Sequence, residues 1–167
     1  MYDFSEWDKH DLIRYMEFLL HSYRVVDAFW FINVENTHGM DEACRLNERV
    51  WGKAGALAVR DLKKRFAITQ KGLEGFARVL EIYPWHLIVG YEVERSPRAI
   101  DIRVPSCPPQ VARLERGLGE YPCKEMHRAE FEGMAREIDQ RIRVECLYAP
   151  PDEHPEEDFC RWRITME

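Results

Sequence analysis

Apolar residues along this chain change their spacing near its middle, and that change divides it into a helical part and a mixed part. Leu12, Met16, Leu19, Leu20, Tyr23, Val26 and Trp30 recur at three- and four-residue steps, the spacing of one helix face. Ser5 and Asp8 stand where an N-cap belongs and Gly39 where a helix stops, which predicts one long helix, or two with a break near His21. Asp41 caps a second segment reaching about Phe66, with Leu46, Val50, Ala54, Leu57 and Leu62 as its stripe. Its Gly52, Ala54, Gly55, Ala56 and Ala58 permit the close approach of another helix. A third helix covers about Gln70 to Ile82 and ends before Pro84, because proline disfavours helical geometry in the residue before it.

After Pro84 the pattern turns to alternation. Leu87, Val89, Tyr91 and Val93 share one face, and Ile100, Ile102 and Val104 follow a turn at Ser96 to Arg98, which reads as a hairpin. Pro108 and Pro109 suit the first turn of a helix to about Arg116, Gly117 and Gly119 end it, and another helix runs from Lys124 to Ile138. Two strands close the chain, one alternating through Ile142, Val144, Cys146 and Tyr148, the other through Cys160, Trp162 and Ile164. The fold class is α+β: N-terminal helices, then an antiparallel sheet of about four strands in two hairpins with two helices between them. We expect a single domain over residues 1–167, with a helical part to residue 84 and the cysteine-bearing part from 85 onward.

A length of 167 residues, 46% hydrophobic and 12% aromatic, is enough for one real core. The net charge of −6 argues against a nucleic-acid partner, and the short basic run Arg60, Lys63, Lys64 and Arg65 reads as a solvated helix face. No apolar run reaches the roughly 18 residues that span a bilayer, and Met1 to Asp11 lacks the basic and apolar regions of a signal peptide, so no membrane association and a cytoplasmic location are expected. In a reducing compartment five cysteines are ligands, nucleophiles or packing residues rather than a disulfide framework.

Four of those cysteines, Cys107, Cys123, Cys146 and Cys160, fall in the last third of the chain on separate elements. Thiolate sulfur is a soft ligand and a strong nucleophile, so the set suggests a bound metal or a shared reactive pocket. Cys146 and Cys160 share the apolar face of the last hairpin, flanking a loop that carries Asp152, Glu153, His154 and Asp158. Cys123 begins a helix and Cys107 stands just ahead of another, positions where the helix dipole favours thiolate. Zinc is the natural metal for such a set, with His154 as a further ligand, although no CxxC pair is present. The alternative is plain packing, since free cysteine is among the most buried residue types; Cys44, alone inside a helix, fits that best.

The segments SCPPQVARLERGLGEYPC and IDQRIRVECLYAPPDEHPEEDFCRW, with VDAFWFINVENTHGMDEACRLNERVWGKAG upstream, make the chain resemble the small cytosolic proteins of the L-2-amino-thiazoline-4-carboxylic acid hydrolase-like family. The resemblance rests on Cys107, Gln110, Arg113, Gly117, Cys123, Cys146, His154 and Cys160. It implies hydrolytic opening of a cyclic isothiourea to an N-carbamoyl amino acid. More distantly the chain is similar to 4-vinyl reductase-like ligand-sensing domains, whose zinc-ligand spacing is followed by Cys123, Cys146, position 149 and Cys160. Ala149 departs from that pattern because it cannot bind metal, leaving three thiols and an open position.

In a catalytic site of this kind a metal-bound water or the Cys123 thiolate would attack an amidine-like carbon while a carboxylate or histidine manages protons. Glu35 is the carboxylate candidate, because Asp27, Phe31, Glu35 and His38 fall within about 80° of one another on the first helix. Arg113 would hold a substrate carboxylate through its bidentate fork. Asp27, Trp30, Phe31, His38 and Gln110 complete the expected ligand contacts, although Trp30, like Trp51 and Trp85, also suits the core. A charged helix face that only serves solvation competes with this reading. The expected partner is a small organic ligand, with homodimerisation left open. Two functions compete: a hydrolase, or a module that senses or carries a small molecule around a structural zinc.

Overall fold

A computed structural model describes residues 3–167. Ten elements follow in order: α1 Lys9–His38, α2 Met40–Arg65, α3 Gly72–Leu80, α4 Pro84–Val89, β1 Glu92–Arg95, β2 Ala99–Val104, α5 Pro108–Leu114, α6 Lys124–Ile138, β3 Ile142–Tyr148 and β4 Cys160–Met166. The four strands form one antiparallel sheet in the order β1-β2-β4-β3, so the fold is α+β.

The first helix is unbroken through His21. Asp8 caps it by accepting the Asp11 amide, so Ser5 is not the cap. Gly39, at φ 86°, lets the chain turn from α1 into α2 with no loop, and Asp41 therefore lies inside the first turn of α2 instead of capping it. The expected strand at Leu87 is a helix. Pro84 sits at its first position, Trp85 and Val89 fall on one side at a four-residue step, and Gly90 in the left-handed conformation ends it. Short apolar runs satisfy either period, and here the buried contact of Trp85 with Trp51, at 5.4 Å between rings, favours the helix. Only Glu92–Arg95 remains to pair with β2.

Ile100, Ile102, Val104, Cys160, Trp162 and Ile164 are buried on the inner face of the sheet. The outer face is polar, where Asp101 faces Arg163 in register and accepts from its Nε at 2.9 Å. Helix α6 covers the inner face with Phe131, Met134 and Ile138, and α2 packs over α6. That second contact is unusually close. A Cβ on Gly133 would stand 2.5 Å from the Gly52 carbonyl oxygen, and one on Gly55 would stand 2.9 Å from that of Glu130. The small residues read from the sequence of α2 thus meet a matching glycine on α6. Helix α1 lies along α2 and reaches the body through Tyr23, Asp27, Phe31 and Glu35, one residue per turn. Among the described residues no helix is long and apolar enough to cross a membrane.

Candidate functional site

Beneath α1, between α6 and the sheet, lies an enclosed cavity of about 30 Å³, room for no more than a few water molecules. Three cysteines from three elements reach it: Cys107 ahead of α5, Cys123 ahead of α6 and Cys160 at the start of β4. Tertiary folding therefore brings together three of the four thiols that the sequence marks. Each is protonated at neutral pH. Burial pushes Cys107 up to about 11 and Cys160 well above that, while Cys123 is raised by burial and by the neighbouring Cys160 and Cys107 sulfurs. The expectation of dipole-activated thiolates fails at both positions. Cys107 caps a helix of only seven residues, and at Cys123 the cost of burying a charge exceeds what the start of α6 returns.

Gln110 is fully buried and clamps the segment before α6. Its Oε1 accepts the Tyr121 amide at 3.0 Å, and its Nε2 donates to the Tyr121 carbonyl at 2.8 Å and to Cys123 Sγ at 3.4 Å. Gln110 thus forms part of the cavity wall with both ends of its amide engaged. Cys146 and His154 lie outside the cavity lining. Cys146 neighbours the Lys124–Asp152 ion pair; burial raises its thiol to about 11 against the pull of Lys124. His154 points to Glu120, 3.1 Å from Oε1, and despite partial burial its hydrogen bonds to the Pro155 carbonyl and Glu120 raise its pKa. Among the described residues no three His, Cys, Asp or Glu side chains are placed to hold a metal ion. The ligand set expected for zinc, Cys107, Cys123, Cys146, His154 and Cys160, does not assemble, because β3 and the loop before β4 carry two of its members elsewhere.

The polar centre of the cavity is a group that the cysteine pattern does not reveal. Glu130 of α6 has no exposed surface. Its Oε1 accepts the Tyr83 hydroxyl at 2.6 Å, and its Oε2 lies 3.0 Å from His127 Nδ1, one turn earlier on the same helix. With Glu130 as a carboxylate and a neutral imidazole, this contact makes Nδ1 the donor and leaves the lone pair on Nε2. Tyr91 presents its hydroxyl in the same cavity with no hydrogen-bond partner, although the residue is only 7% exposed. The indole nitrogen of Trp162 is likewise buried without an ordinary partner, and its N–H favours the Cys160 thiolate only weakly against burial. A trace of this site is present in the sequence: Glu130 falls inside the apolar stripe Met126, Phe131, Met134 and Ile138, where a lone carboxylate must find partners.

Asp27 of α1 closes the cavity toward a second, outer groove of about 270 Å³, shared with Pro109 and Tyr121 and bordered by Arg24, Arg113 and Arg116. Such a volume lies near the lower end for small-molecule sites, roughly 300–1,000 Å³. Burial raises Asp27 to about 6, partly offset by the Trp51 Nε1 donor at 3.1 Å. Phe31 packs against Tyr121 with ring centres 4.8 Å apart and lines the same groove.

Arg113 and Glu35, expected as substrate anchor and catalytic carboxylate, are instead bound to each other. Arg113 Nη1 and Nη2 donate to the two Glu35 oxygens at 2.6 and 3.0 Å, and its Nε donates to the Gly119 carbonyl. Their charges are spent on fastening α1 to α5. His38 is exposed at the end of α1, and Trp30 is 65% exposed, belonging to neither core nor cavity. The helical face read from the sequence thus turns Asp27, Phe31 and Glu35 inward and leaves His38 out.

The site therefore defines an α+β domain with a closed, thiol-lined cavity built around a buried Glu130 paired with a half-buried His127, and an outer basic groove. The chain belongs to a family of unknown function, DUF6125, whose family model matches residues 5–166. A search of the curated proteins finds no match.

Proposed function

We propose that this chain binds a small organic molecule between the outer groove and the inner cavity and hydrolyses a C–N or C–S bond in it, with His127 as the general base. The observation that carries this reading is the Tyr83–Glu130–His127 chain at the wall of an enclosed cavity. The order of groups is that of a base oriented by a buried carboxylate, which supplies typically 10²–10⁴-fold in rate. His127 Nε2 takes a proton from water as the water oxygen bonds to the amidine-like carbon. The ring C–N or C–S bond then breaks, and the same proton passes to the departing nitrogen or sulfur. The unpartnered Tyr91 hydroxyl is a donor for the heteroatom on that carbon. Arg24 and Arg116 at the outer groove suit a carboxylate on the ligand, the role that Arg113 cannot fill while paired. Cys123 contributes as wall rather than nucleophile, since its proton is held tightly and Gln110 offers it only a donor. The five free thiols accord with a cytoplasmic setting.

A non-catalytic carrier or sensor is the second reading, favoured by the small size of the closed cavity and its protonated thiols. Incubation with 2-amino-thiazoline-4-carboxylate and related cyclic amidines, followed by NMR for ring opening, separates the two. Turnover that falls about 100-fold or more in His127→Gln at unchanged KM supports the hydrolase. Turnover unaffected by His127→Gln removes the assigned base, and saturable binding without turnover moves the assignment to a carrier.

A further inference from the structure

Helix α1 presents an apolar face that the fold leaves largely exposed, with Leu12 half-buried and Tyr23 packed in part on Trp51 and Trp85. Leu12, Met16, Leu19, Tyr23, Val26 and Trp30 follow one another at steps of four, three, four, three and four residues, the heptad spacing of a helix that packs along another helix. These side chains lie on the outside: Met16 is 55%, Val26 69% and Trp30 65% exposed. Phe18 and Phe29, at 57% and 62%, are exposed as well but lie about 100–120° round the helix from the centre of the strip. At 100° per residue the six fall within about 80°, and the charged residues Arg14, Glu17 and Arg24 fall on the other side of the helix. The stripe that fastens α1 to the body is a different one, Tyr23, Asp27, Phe31 and Glu35, so only Tyr23 serves both.

We propose that this seam is the interface of a homodimer, in which α1 of one copy packs antiparallel on α1 of a second. The order of residues selects the second copy and its direction. Read outward from position 21 the seam is symmetric, so antiparallel pairing sets Leu12 against Trp30, Met16 against Val26 and Leu19 against Tyr23. Smaller side chains thereby meet larger ones, which is how facing layers interdigitate. A parallel pair would force Trp30 onto Trp30 and Tyr23 onto Tyr23. The available area also suits a dimer: aromatic side chains offer about 150–250 Å² each, and at the exposures of this strip the six side chains total roughly 600 Å² per copy, approaching the ~800 Å² per partner of a stable interface. The inference is independent of the chemistry assigned to the cavity.

Sedimentation velocity on the full chain over a concentration series up to about 100 µM tests it, since a standard-sized interface associates well below that. The wild-type chain is expected to be a dimer, and Glu17→Lys, on the charged side of the same helix, to remain one. Val26→Glu and Met16→Lys each place two charges in the seam and are expected to raise the dissociation constant about 100-fold or more, with the far-UV circular dichroism spectrum of the folded chain unchanged and a melt lowered only by the loss of association. Two seam positions are used so that a failure of one variant to fold leaves the other to decide. A wild-type chain that stays monomeric at the highest concentration overturns the proposal, including the case in which it instead binds phosphatidylcholine vesicles. So does a dimer that persists in the folded seam variants.

Discussion

The hydroxyl of Tyr83 donates to Oε1 of Glu130 at 2.6 Å in a place where neither residue has more than 2% exposure. Burial, the Glu130 charge and this hydrogen bond push the Tyr83 phenol far above its ordinary pKa, so it stays a donor at any physiological pH. Tyr83→Phe removes half of what satisfies the carboxylate. We expect a loss of about 1–3 kcal/mol in stability, measured by urea denaturation, because the cost is that of a buried acceptor left short of a partner.

Asp27 supplies a pH dependence whose sign is opposite to that of an ordinary salt-bridged carboxylate. Its pKa is raised by burial from 3.8 to about 6, so the folded protein holds its proton more tightly than the unfolded chain does. Stability from this group is therefore full below pH 3.8 and declines as pH rises toward about 6. Asp27→Asn, which can still accept from Trp51, should stabilise the chain at pH 7.5 by on the order of 1–3 kcal/mol. The gain should vanish near pH 4, and parallel thermal melts at the two pH values check both.

The pair of Arg113 and Glu35 is a fastening rather than a binding device, with Arg113 side-chain exposure at 8%. Arg113→Ala should cost about 3–5 kcal/mol by stranding Glu35. Replacing both, Arg113→Met with Glu35→Leu, should recover most of that loss in a double-mutant cycle by urea denaturation.

Gly133 and Gly52 allow α6 and α2 to touch backbone to backbone. Gly133→Ala should destabilise by about 1–3 kcal/mol through forced separation of the helices. Gly117→Ala, which meets nothing within 4 Å, should cost only its left-handed backbone conformation at φ 68°. Differential scanning calorimetry on the two variants separates packing from backbone strain.

Thiol labelling should show all five cysteines free after denaturation. In the native protein Cys44 and Cys146 should react at least about 10-fold faster than Cys123 and Cys160, which are both buried and strongly protonated.

Local features of the chain account for most of its elements. The three- and four-residue steps of α1 and α2, the prolines that open α5 and the strict alternation of β2 to β4 each report a period that neighbouring residues impose on one another. The reading fails where the signal is short, at Leu87 to Val89, because so short an apolar run fits both periods and the contact of Trp85 with Trp51 decides between them, while Val93 lies in β1 as expected. The glycines and alanines of α2 announced a close helix neighbour, and only the fold says that it is α6.

The sequence by itself determined the fold class, most of the elements and the fact that cysteines on separate elements could meet, because periodicity, caps and residue chemistry are local. Tertiary structure alone decided which of them meet. It gathers Cys107, Cys123 and Cys160, leaves Cys146 and His154 outside, turns Arg113 and Glu35 toward each other and buries Glu130 against Tyr83 from 47 residues away. The physical reason is that a site is made by groups adjacent in space, and their adjacency follows from how α6 is pressed between the sheet and α2, a packing that no single segment encodes.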